Sequence, residues 1–187
     1  MPKLHTVNGG LDFGRDSTPP VRQHSFPELE RIFGNLTIEA KNIDRVDLPK
    51  LETIEGVLGV VSNEGGAFRQ LELPALRQII ERDGLPGNIE ILSSSLVSIE
   101  LPSLETLVDE DGLCSGIRSC HHVHIKGNNA LETVRFGRSN FEKVTVEVDG
   151  NLSLHTFEMT GNAFSLGFRN NAALTVLELP TLSLIHI

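Results

Sequence analysis

Three residues in the run Cys120-His121-His122-Val123-His124-Ile125 have the types and the spacing of a metal site. If Val123 and Ile125 point into a core, strand alternation puts Cys120, His122 and His124 on one outer face, and thiolate and imidazole are both zinc ligands. A tetrahedral site needs a fourth ligand, for which Cys114 or a carboxylate such as Asp109 is the nearest choice. The competing reading is a solvent-exposed polar strand beside an insertion, with Cys114 and Cys120 free or joined in a small disulfide loop. The expectation is therefore no metal and no other cofactor, with Cys120, His122 and His124 held as the candidate set.

A second group of chemically able residues is spread along the whole chain. Ser25, Asp47, Glu72, Glu100, Arg135, Glu158 and Glu178 all occupy the same place in a recurring phrase, and Arg45, Gln70, Ser98 and Thr133 stand two residues before that place. Stacked carboxylates repel one another unless they are solvated, paired or bridged by a cation. Such a column suits a basic partner or a divalent cation. The competing and favoured reading is the solvated face of an acidic protein, with Arg45, Arg69 and Arg135 relieving the repulsion. Catalysis would need convergent carboxylates, and here there is one per unit along a line. The chain has no Gly-rich phosphate loop, nucleophile elbow or His-Glu metal motif, so it reads as not an enzyme.

The phrase that positions these residues is apolar-x-x-apolar-x-apolar-Pro. It runs Val21 to Pro27, Ile43 to Pro49, Phe68 to Pro74, Leu96 to Pro102, Leu131 to Gly137, Leu154 to Thr160 and Leu174 to Pro180, and among its apolar slots only His24 is polar. The repeat length of 20 to 35 residues is that of solenoids. The alternation in Leu71-Glu72-Leu73 predicts a short strand with one buried face, and proline, lacking an N–H, ends it at a corner. A second strand per unit is predicted at Asn35 to Ile38, Val57 to Val60, Asn88 to Ile91, His122 to Ile125, Val144 to Val146 and Phe164 to Leu166. Leu76 to Arg82 has helical spacing and is expected to form a helical turn or two before Asp83-Gly84. Asn128, Asn151 and Asn171 each precede an apolar slot by three residues, which predicts an asparagine stack at one corner. Asn35 and Asn151 also match the N-glycosylation acceptor pattern.

Composition narrows the partners. The 187 residues are enough for one domain or a stack of small units, and mean hydropathy near zero fits neither a disordered chain nor a membrane span. A formal charge of -9 excludes a phosphate-backbone partner, so no nucleic acid is expected. Phe is the only aromatic type, which argues against stacking platforms for bases or sugars. The expected architecture is mostly all-β: a right-handed parallel β-solenoid of about seven units with short helical turns at corners.

The phrases Leu71-Glu72-Leu73-Pro74-Ala75-Leu76 and Asn170-Asn171-Ala172-Ala173-Leu174-Thr175-Val176-Leu177-Glu178-Leu179-Pro180 resemble leucine-rich-repeat solenoids of the receptor L-domain type, fungal cell-wall relatives among them, and are similar to BspA-type surface repeats. The likeness covers residues 2 to about 182. It implies recognition of a protein or glycan ligand without catalysis, and an extracellular or cell-surface setting. The ligand face implied is the outward side of the L-x-L-P strands: Arg45, Asp47, Gln70, Glu72, Ser98, Glu100, Thr133, Arg135, Glu158 and Glu178. The alternative is a carbohydrate-active right-handed β-helix enzyme, a lyase or hydrolase. The chain departs from the commonest leucine-rich repeats in having proline where their asparagine ladder begins.

No signal peptide is visible, and Pro2-x-Leu4-x-x-Val7 is already repeat, so the chain reads as one repeat domain over 1–187, a fragment opened at both ends. Residues 182–187 read as the translation of an adapter used in preparing sequencing libraries, an artefactual tail. Uncapped solenoid ends expose strand edges, so self-association through them is expected.

Overall fold

The computed structural model describes residues 3–14, 22–39, 43–61, 67–81, 87–92, 95–109 and 121–179. Among them there is no helix, and the nineteen strands make seven turns of one solenoid. The first turn is β1 (Thr6–Asn8), β2 (Leu11–Phe13) and β3 (Gln23–Ser25). The second is β4 (Arg31–Phe33), β5 (Leu36–Glu39) and β6 (Arg45–Asp47). The third is β7 (Thr53–Glu55), β8 (Leu58–Val61) and β9 (Gln70–Glu72). Then come β10 (Gln78–Glu81), β11 (Ile89–Leu92) and β12 (Ser98–Leu101), followed by β13 (Thr106–Asp109), β14 (His121–Lys126) and β15 (Thr133–Phe136). In the last two turns, β16 (Asn140–Asp149) with β17 (Thr156–Met159) and β18 (Asn162–Arg169) with β19 (Val176–Glu178), one long strand does the work of two.

Every pairing between turns is parallel, so equivalent strands stack into three faces. Face 1 runs β1-β4-β7-β10-β13 and continues into the first residues of β16 and β18; face 2 runs β2-β5-β8-β11-β14 and continues into their later residues. Face 3 consists of β3-β6 and β9-β12-β15-β17-β19. Face 1 stacks one buried apolar column, Ile32, Ile54, Ile79, Leu107, whereas face 2 stacks two, such as Ile38, Val60, Ile91, Ile125, Val148. Each such side chain contributes about 1.5–3 kcal/mol before entropy is subtracted. No turn could bury these faces alone, so each is stable only against its neighbours.

The segment at Leu76 corrects the expectation of a helix. Gln78–Glu81 is strand β10, paired with β7 and β13. The helical spacing from Leu76 to Ile79 is that of a corner leucine followed by a strand isoleucine. Leu51, Leu76 and Leu104 are fully buried, and their amides donate to the carbonyls of Leu48, Leu73 and Leu101 at 3.2–3.3 Å. The turns above and below already offer open ladder positions, and those bonds win over a short isolated helical turn. The same observation adds a third strand to each of the first five turns, where two were expected.

Prolines end the face 3 strands as predicted, at Leu48-Pro49, Leu73-Pro74 and Leu101-Pro102. Glycine replaces proline at Gly137 because the chain passes close to the turn before it: a Cβ there would lie 1.8 Å from the Pro102 carbonyl oxygen.

The asparagine stack also forms, at the corner between faces 2 and 3. The Asn128 amide donates to Asn151 Oδ1 at 3.0 Å, and the Asn151 amide to Asn171 Oδ1 at 3.1 Å. Their Nδ2 groups donate to the carbonyls of Ile91, Ile125 and Val148 at 2.8–3.1 Å. The preceding residues Gly127, Gly150 and Asn170 have φ of +67°, +67° and +54°, a left-handed kink open to glycine and asparagine. Asn151 is fully buried, so the folded chain does not present it for glycosylation. Asn35 Oδ1 accepts the Val57 amide at 2.9 Å and serves a corner of its own.

Replacing Asn151 by alanine takes the acceptor from the Asn128 amide and the donor from the Ile125 carbonyl, each worth about 1–3 kcal/mol when buried. Asn151→Ala is expected to lower unfolding stability in urea by about 3 kcal/mol, and Asn171→Ala, at the half-buried end of the stack, by clearly less.

Candidate functional site

Face 3 brings the predicted ligand-face residues together. Its register aligns Ser25 with Asp47, and aligns Glu72, Glu100, Arg135, Glu158 and Glu178 in a single outward column. The neighbouring outward column holds Arg45, then Gln70, Ser98 and Thr133. Residues at i and i+2 of a strand share a face, and the buried Leu71, Ile99, Val134 and Phe157 between the columns fix which face is outward.

The electrostatics divide this column in two. Arg135 donates from Nε to Glu158 at 2.9 Å and lies 3.6 Å from Glu100 through Nη1. The hydrogen bond to Glu158, with further attraction from the carboxylates around it, raises the guanidinium pKa above its ordinary value. At the other end, Asp47 accepts from Ser25 Oγ at 3.0 Å and lies 3.8 Å from Arg45. Arg69 turns aside and donates to the Ser95 carbonyl at 3.2 Å.

Between these halves the ladder is interrupted. On face 3 the first amides of a strand reach back one turn: Arg45 to the Arg22 carbonyl, Ser98 to that of Arg69, Thr133 to Val97, Thr156 to Glu132 and Val176 to His155. The equivalent bond from Gln70 to Asp44 is absent, and β6 and β9 belong to separate sheets. A groove of about 430 Å³ opens there, walled by Arg45 and Asp47 on one side and Gln70 and Glu72 on the other, with Pro49 and Pro74 at its end. Closing it would place Asp47 in line with Glu72 and Glu100, a third carboxylate with like charges opposite. Sequence reasoning missed this groove, because the repeat phrase is intact in both walls.

The histidine strand lies on face 2. His121, Val123 and Ile125 are buried, and His122 and His124 face outward as alternation requires. Cys114 and Cys120 lie outside the described residues, and Asp109 stands on face 1. Among the described residues no three His, Cys, Asp or Glu side chains are placed to hold a metal. The two rings are 5.1 Å apart, and His124 Nε2 lies 3.6 Å from Glu147. Lys126 Nζ holds the same carboxylate at 2.7 Å. A second hollow, of about 400 Å³, lies beside this cluster and is walled by Lys126, Glu147, Asp149, Ser165 and Arg169. β14 pairs with β16 and β16 with β18 beneath it, so no ladder is interrupted across its floor as one is between β6 and β9.

Compared with known proteins, the chain matches no protein-family model, no curated protein and no solved structure.

The face 2 cluster gives a pH dependence of known sign. Desolvation, then the Lys126 ammonium and His122, hold His124 below its ordinary value of 6.5, against the pull of Glu147 and Glu90. The Lys126 hydrogen bond, chiefly, holds Glu147 below its ordinary 4.5. Both groups have lower pKa values folded than unfolded, so the stability they contribute is present above the unfolded values and is lost on acidification, His124 first and Glu147 after it. The melting temperature is expected to fall as pH drops from about 7 to about 5.5, and to fall less in His124→Gln.

Proposed function

We propose that this chain is a non-catalytic recognition module of leucine-rich-repeat type, binding a protein or glycan through the outward residues of face 3, in an extracellular or cell-surface setting. The single observation that carries the reading is the interruption between β6 and β9. It leaves backbone hydrogen-bonding groups of Asp44 and Gln70 open beside Asp47 and Glu72, on the face that the resemblance to receptor L-domains marks for ligand contact. An open strand edge offers backbone donors and acceptors to a ligand, and the two carboxylates beside it favour a basic one.

A second reading has its own observation. Asp47 and Glu72 stand on opposite walls of the groove, and glycoside hydrolysis uses two carboxylates across the scissile bond, as a carbohydrate-active β-helix enzyme would. We prefer recognition because both residues continue an acidic column that runs along the solenoid, which is the layout of a surface and not of a convergent centre.

The test is an array of glycans and peptides probed with the wild-type chain and with the double variant Asp47→Lys, Glu72→Lys. Both sites are surface positions, so the variant is expected to keep its stability within about 0.5 kcal/mol and to lose at least about tenfold in binding. Ligand capture that ignores both charges contradicts the reading. Turnover of a polysaccharide that disappears with Asp47 or Glu72 favours the enzyme instead.

A further inference from the structure

Resting on the reading of face 3 as a recognition surface, we propose that the groove between β6 and β9 takes an extended peptide as an added parallel strand. Its side chains run polar, apolar, basic, so that the basic residue lies between Asp47 and Glu72.

Parallel strands in one sheet stand roughly 4.8 Å apart, and each donates to one neighbour and accepts from it in turn. At the groove the Asp44 carbonyl and the Gln70 amide lack the partners that their equivalents have in the neighbouring turns, among the described residues. An entering strand supplies both: its polar residue donates its amide to Asp44, as Thr133 donates to Val97, and one of its carbonyls accepts from Gln70. To admit it, β6 and β9 must part to roughly twice the ordinary spacing. On face 1, β7 stays paired with β4 and β10, and on face 2, β8 stays paired with β5 and β11. The opening is therefore a wedge, hinged on two closed faces and widest at face 3.

The molecule carries its own template for the side chains of such a strand. β15 carries Thr133-Val134-Arg135-Phe136 and lies between two turns that present Glu100 and Glu158 in the outward column. Its Arg135 pairs with both, at 3.6 Å and 2.9 Å, and its Val134 is fully buried between Ile99 and Phe157. With β6 and β9 parted to that spacing, the groove repeats this environment without its middle strand. Asp47 and Glu72 take the places of Glu100 and Glu158, and Val46 and Leu71 those of Ile99 and Phe157. Val46 is only half-buried, whereas Leu71, Ile99, Val134 and Phe157 in the same column are buried, so the core is loosened where the strand would enter. Addition to an exposed strand edge takes affinity from main-chain bonds and specificity from alternate side chains, which is the division required here. A glycan could meet the carboxylates and the free amide, but it offers neither the alternating apolar residue nor a regular series of backbone donors.

The probe is a fluorescent peptide of residues 130–137, which contains Thr133-Val134-Arg135-Phe136, titrated with the full chain and read by anisotropy. Saturable binding is expected. Changing the peptide's arginine to glutamate, or N-methylating its threonine amide, should each weaken it at least about tenfold. The protein variant Asp47→Lys, Glu72→Lys should reverse the preference and take the glutamate peptide. Glu72→Lys alone, checked for folding by circular dichroism, should move in the same direction. A peptide that fails to bind, or binds regardless of N-methylation, while a glycan binds in a manner that needs Asp47 and Glu72, overturns the added strand and leaves the recognition surface standing. If no ligand responds to Asp47 and Glu72, both readings fall.

Discussion

The parallel hydrogen-bond ladder between successive turns governs everything else in this molecule. Once Gln78 stands opposite Thr53 and Glu90 opposite Gly59, the inward or outward direction of each neighbouring side chain follows from the pleat, and a slip of one residue would exchange core for surface. The buried columns result from that register, and so do the outward columns. Corners are held by a separate set of bonds: leucine amides closing on the strand just ended, Asn35 and Asn88 accepting amides of the next turn, and the Asn128, Asn151, Asn171 stack. The corners keep each turn at the same height, so that the strands meet in register.

How much of this could be read in the chain depends on how many residues report on each element. Faces 2 and 3 include strands with two inward residues, Ile89 and Ile91 in β11 or Ile99 and Leu101 in β12, and two points are enough to display a period of two. Face 1 shows one, such as Ile54 or Ile79, which carries no period, so Leu76 and Ile79 together resemble a helix. His24, the one polar residue in an apolar slot, stands opposite Val46 in the inward column and packs its ring 4.6 Å from that of Phe13. The asparagine stack was legible because its three members share a fixed offset from the phrase. The break between β6 and β9 was not, since it depends on whether two distant segments pair, and each keeps the full phrase. Its one trace in sequence is the succession Asp47, Glu72, Glu100, unbroken by a cation until Arg135.

Two charged regions of the surface are built differently. On face 2, Lys126 and Glu147 satisfy one another across fully paired strands. On face 3, Arg135 neutralises the Glu100 and Glu158 end of the column, and the opposite end is left with carboxylates flanking open backbone. Exposed ion pairs of this kind contribute little to stability. Their arrangement sets where the surface is already satisfied and where a partner has something to gain, and that separates the β6–β9 groove from the other hollow, although their volumes are similar.

Residue-resolved amide hydrogen exchange under native conditions measures the central claim most directly, because it reports each ladder bond separately. The amides of Ser98, Thr133 and Thr156, which reach back one turn on face 3, should be strongly protected, and that of Gln70 should exchange at least about a hundredfold faster than they do, roughly 2.7 kcal/mol less protection. Protection at Gln70 equal to that of Ser98 would mean that β6 and β9 are paired, and that the solenoid has no opening on the face where recognition has been placed.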